Sequence, residues 1–153
     1  MNTLKSLLST TITILLLVPL AASAHHSHAN LDRNKPVTLT GIVSKFSWRV
    51  PHVSLLIDVP QKDGKVVQYV VASNNPPSMT RVGWTADTFK PGDKIIWHGF
   101  HDRDPNRRYT GLDWAQKSNG PRMFASVQGL KTYYKEKGQE LPKNISAVMP
   151  IVA

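Results

Sequence analysis

The sequence contains no cysteine, so it forms neither a disulfide nor a thiolate metal site. A lipid anchor on a cysteine after the leader is excluded for the same reason. Acidic residues are few, with Asp and Glu numbering 10 against 19 Lys and Arg, for a formal net charge of +9. They are scattered, and no two form the carboxylate pair in an apolar setting that general acid–base catalysis would use. No serine has a Gly-x-Ser-x-Gly context, so a nucleophile elbow is absent. There is no glycine-rich phosphate loop, no internal repeat and no low-complexity block. The expectation is therefore a binding or accessory protein and not an enzyme.

What is present begins with a leader. Lys5 supplies a short positive region, residues 7–20 carry no charge, and Ala22-Ser23-Ala24 places small residues where a signal peptidase reads. The uncharged run is shorter than the ~20 apolar residues of a membrane span, contains Thr and Ser, and meets Pro19 near its end. Residues 1–24 are thus expected to be a signal peptide cleaved before His25. The mature chain would be periplasmic or secreted, with no transmembrane segment. Roughly 130 residues remain, enough for one domain at ~100–150 residues each. Their positive charge suits anionic partners, and export sets nucleic acid aside. Arg107-Arg108 is the densest basic pair of the body, and Lys135 and Lys137 lie near the end. Dispersed charge of this kind is also what an ordinary solvated surface looks like.

Residues 37–48 alternate branched and polar side chains, the period of a half-buried strand, with Gly41 marking a bend or bulge. Residues 53–59 and 66–71 read as a second and third strand around the turn Gln61-Lys62-Asp63-Gly64. Asn74-Asn75-Pro76-Pro77 then breaks the sheet, and Ser78 is the expected cap of a short helical turn. Lys90-Pro91-Gly92-Asp93 is a turn. Residues 94–100 and 109–117 are expected strands, and 123–127 a short ribbon pairing back. Three strands, a helical insert and two strands is the order of a small five-stranded OB-like barrel. A β-sandwich would want about seven strands. The expected organisation is leader 1–24, an N-terminal histidine-containing arm 25–36, an all-β barrel 37–128, and a loosely ordered basic tail 129–153 dispensable for folding.

Ala24-His25-His26-Ser27, Asn34 to Gly41, Pro51-His52, Arg81 with Gly83-Trp84-Thr85, and Lys90-Pro91-Gly92-Asp93 together resemble a family of small exported bacterial proteins, an uncharacterised domain of unknown function. The resemblance covers roughly residues 1–127. It implies export and a compact β domain and brings no activity with it. His28 stands where an aromatic is commoner, and Val50 where Asn commonly precedes Pro-His. The segment after Gly129 looks like an addition.

The histidines are the one constellation with metal chemistry. Cleavage after Ala24 makes His25 the terminal residue, so its α-amine and imidazole are preplaced to chelate one ion. His26 and His52 are the candidates to complete a nitrogen set. Planar nitrogen ligation suits Cu(II), so copper is the expected metal. His98 and His101 lack a spacing for shared ligation and read as structural. A second expectation, from another class, is an envelope interaction module whose basic, aromatic barrel face binds an anionic glycan, lipid or partner protein. OB-type barrels offer such a face on strands two and three. A third is a copper-dependent oxidative enzyme at the same terminal histidine. Trp48, Tyr69, Trp84, Trp97, Phe100 and Trp114 recur near strands, where core packing is their default role.

Overall fold

A computed structural model describes residues 30–142. The leader, His25, His26, His28 and residues 143–153 lie outside the described residues. Six strands, β1 (Leu31–Ser47), β2 (Ser54–Pro60), β3 (Val66–Ala72), β4 (Lys94–Asp102), β5 (Tyr109–Lys117) and β6 (Arg122–Phe124), run in the order β3-β2-β1-β4-β5-β6. A parallel pairing of β3 with β5, Val70–Tyr109 to Ala72–Gly111, closes the first five into a barrel. This is the expected OB-like architecture, with the helix α1 (Pro76–Thr80) between β3 and β4.

The long first strand serves two neighbours. Residues up to Ile42 pair with β4, and those from Ile42 onward pair with β2. Gly41 stands at this hand-over, where a Cβ would lie 2.6 Å from Ile57 Cγ2 and 2.7 Å from the Asp58 carbonyl. Its lack of a side chain lets β2 cross close behind β1. The register slip itself falls two residues later, between Val43 and Lys45. Inward residues Val43, Leu55, Ile57, Val71, Ile95, Trp97 and Ala115 are fully buried and fill the barrel. The Trp97 indole N–H donates to Thr110 Oγ1 at 3.2 Å, so this polar pair is satisfied inside the core.

The insert between β3 and β4 closes one end. Met79, Val82, Trp84 and Phe89 are buried there, with Phe46 of β1 against both Trp84 and Phe89. The Trp84 indole donates to the Phe124 carbonyl at 2.8 Å and ties the insert to β6. Helix α1 is capped by Asn75, whose Oδ1 accepts from the Ser78 amide at 2.9 Å. Ser78 is thus the capped residue and not the cap, because Pro76 and Pro77 take the first helical turn, where proline's missing N–H costs nothing.

The expected ribbon 123–127 is the shorter β6, with Val127 already in the following helix, and two further boundaries differ from the sequence expectation. β1 starts at Leu31, so residues 31–36 of the expected arm are strand. That stretch is too polar to alternate, and it is held by Leu31, buried against Gly111 and opposite Asp102. Beyond β6 the expected loose tail is instead the helix α2 (Val127–Glu136) through residue 136. Ser126 caps it, accepting from the Gly129 amide at 3.0 Å, and Leu130 is buried. Val127, Tyr133 and Tyr134 pack against the same core. The spacing 127, 130, 133, 134 is that of one helix face, diluted by the lysines between. No helix of the described residues is long and apolar enough to cross a membrane.

Candidate functional site

His52 is half-buried in the loop that leads into β2. The residues expected to join it at a metal, His25 and His26, lie outside the described residues. Among the described residues no group of three or more His, Asp or Glu side chains could hold a metal ion.

The face expected to be basic and aromatic, that of β2 and β3, is neither. Its outward residues include Leu56, Asp58, Gln68 and Val70, with Gln68 Nε2 donating to Asp58 Oδ1 at 2.9 Å. The combination occurs one layer round the barrel, on the outer side of β4 and β5. There the strand alternation turns His98 and Phe100 outward, and the register sets Trp114 opposite both His98 and Phe124. The His98 and Trp114 rings stack, with centroids 5.6 Å apart and 17° between planes. His98 Nδ1 also lies 2.9 Å from Thr38 Oγ1 of β1. Helix α2 walls the other side. Between them runs a groove of about 590 Å³ lined by Arg33, His98, Asp113, Trp114, Arg122 and Tyr133, among others. That volume is within the range of small-molecule sites.

Two guanidiniums give the groove its chemistry. Arg122 sits 3.8 Å from the Trp114 ring centre and 5.3 Å from that of Tyr133. Arg33, reaching over from β1, lies 5.6 Å from the Phe100 ring centre. Each is placed by cation–π contact, and neither makes a hydrogen bond or ion pair with a described residue. A guanidinium steadied by ring contact keeps its N–H donors for an oxyanion.

Asp113 lines the same groove, on the bulge where β5 slips against β4. Burial pushes its carboxyl above the ordinary 3.8, while His98, Arg122 and Arg33 pull the other way. The first turn of α2 closes over it, so that a Cβ on Gly129 would lie 3.2 Å from Asp113 Oδ1.

A second concavity, about 260 Å³, opens at the β4–β5 loop, lined by Lys35, Tyr69, His101 and the arginines of 103–108. Its cations are engaged by their own surroundings. Arg107 pairs with buried Asp102 at 3.0 Å, Arg108 Nη1 donates to the Pro105 carbonyl at 3.2 Å, and Lys35 lies 3.5 Å from Asp32. The Arg107-Arg108 pair singled out in the sequence therefore organises its loop.

A family model described as a family of unknown function, DUF6152, matches residues 14–122. The chain belongs to this family. The DUF6152 span covers the barrel strands and ends at Arg122, so the α2 wall of the groove lies beyond it. A search of curated proteins returns no match.

Proposed function

We propose that this DUF6152 chain is an exported binding module whose β4–β5–α2 groove holds an acidic, ring-bearing ligand such as a uronic-acid unit of an envelope glycan. The observation that supports this reading is the pair Arg33 and Arg122, steadied on aromatic rings with their hydrogen-bond donors unspent among the described residues. The leader argues for export. Copper at His25, His26 and His52 is a separate proposal that rests on the sequence alone.

The test is calorimetric titration of the mature chain with oligogalacturonate at low salt. Loss of a hydrogen bond to a charged group costs about 1.5–3 kcal/mol, so Arg33→Ala and Arg122→Ala should each weaken binding about 10- to 100-fold. Arg107→Ala should leave it unchanged. Loss of binding in Arg107→Ala with retention in the other two would move the site to the β4–β5 loop. No binding by the wild type would refute the reading.

A further inference from the structure

We infer that Asp113 is the specificity-determining residue of this groove, acting as the resident counter-anion of Arg33 and Arg122, so that the groove accepts one further negative charge and disfavours a doubly charged oxyanion. The inference rests on the acidic-ligand reading and names its ligand class, a carboxylate on a ring.

Charge balance in a partly desolvated groove sets this preference. The groups facing Asp113 are Arg33 from β1, His98 from β4 and Arg122 from β6, while α2 contributes Tyr133 and the exposed Glu136 to the groove. Two guanidinium charges against one inner carboxylate leave a single permanent positive charge. Arg33 and Glu136 are both exposed, and the charge of Glu136 is offset by its neighbour Lys137, whose Nζ lies 5.9 Å from the Tyr133 ring centre. A monoanion completes neutrality. A phosphate monoester, near two negative charges at neutral pH, would bring an uncompensated charge beside the Asp113 carboxylate. The shift of Asp113 agrees with this placement, because burial makes its charge costly and the surrounding cations offset part of that cost.

Free uronic acids and uronate units of a polysaccharide share this chemistry. Matched probes separate carboxylate from phosphate: D-glucuronate and glucose 6-phosphate carry the charge on the same ring position, and glucose is the neutral control. Each is titrated into the mature wild type, Asp113→Asn and Asp113→Glu at pH 7.5 and low ionic strength, with a thermal melt of every variant. The wild type should prefer glucuronate. Asp113→Asn should bind glucose 6-phosphate at least 10-fold more tightly than the wild type does and reverse the order, while Asp113→Glu should restore it. An oligogalacturonate that binds more tightly than the monomer marks a glycan source, and equal binding marks a free acid. Binding whose order is unchanged by Asp113→Asn overturns this inference alone. Failure of every acidic probe with the wild type and Asp113→Asn overturns both it and the groove reading.

Discussion

Leu130 is 3% exposed and is the buried anchor of α2, so Leu130→Ala tests directly whether the segment after β6 belongs to the fold. Buried Leu→Ala changes cost about 2–5 kcal/mol. The lower part of that range applies here, because α2 packs on one side only and can settle towards the barrel. A loss of about 2–3 kcal/mol follows, or roughly 10 °C in melting temperature for a domain of this size. Ser126→Ala removes the cap that accepts from the Gly129 amide and should cost about 1 kcal/mol. Lys131→Ala, on the exposed face of α2, should change stability by less than about 0.5 kcal/mol. The assay is denaturant unfolding of the chain from His25 onward, followed by tryptophan fluorescence. A Leu130→Ala change no larger than that of Lys131→Ala would refute the packing argument and return the tail to a dispensable role. Truncation after Gly129 removes Leu130, Tyr133 and Tyr134 together and should cost more than Leu130→Ala.

Trp84→Phe strands the buried Phe124 carbonyl that the indole now satisfies. It should lower stability by about 2–3 kcal/mol, and a loss under 1 kcal/mol in the same unfolding assay would contradict this. At Gly99 a Cβ would collide with the Gly111 carbonyl oxygen, so Gly99→Ala should cost about 3 kcal/mol or more by forcing β4 and β5 apart; soluble protein with a wild-type melt would refute it. Because burial raises the Asp113 carboxyl, its ionised form weakens folding near neutrality, and this group's contribution to stability should improve as pH falls from neutral towards the ordinary carboxylate range. Asp113→Asn should flatten that trend, and melts at pH 7.5 and 5 that leave the slope unaltered would contradict it. For the terminal-amine proposal, Cu(II) titration should give a nitrogen-rich electron paramagnetic resonance signal that weakens as pH falls through about 6.5. Unchanged affinity in His25→Ala with His26→Ala would remove copper from this end of the chain.

The barrel was legible because its strands announce themselves by alternation. Val66 and Tyr109 begin strands where the pattern says they should, and the two proline-containing breaks fall on either side of the insert. The start of β1 was not legible, since Asp32 to Lys35 have no apolar period and that end is held by long-range contacts, Leu31 against Gly111 and the Arg103 amide donating to the Asn30 carbonyl at 2.7 Å. Helix α2 was hidden by Lys131, Lys135 and Lys137, which mask a face defined by Leu130 and Tyr133. The site was less legible still. His98 and Trp114 were visible as separate residues, but their stacking follows from the β4–β5 register, which includes a slip at His98/Gly99. Arg33 reaches the same groove from the far end of β1, through a strand pairing that no local spacing encodes. The signal available was the outward phase of His98 and Phe100, together with helical spacing after Ser126.

Trp114 reports on the groove, because its ring carries Arg122 there while Trp84 and Trp97 are fully buried elsewhere. Titrating glucuronate into the ¹⁵N-tryptophan-labelled chain from His25 onward and following the indole N–H resonances by NMR reads the groove directly. A saturable shift of the Trp114 resonance, absent in Arg122→Ala, is expected, with Trp84 and Trp97 unmoved. A ligand that binds while the Trp114 resonance stays in place would contradict it.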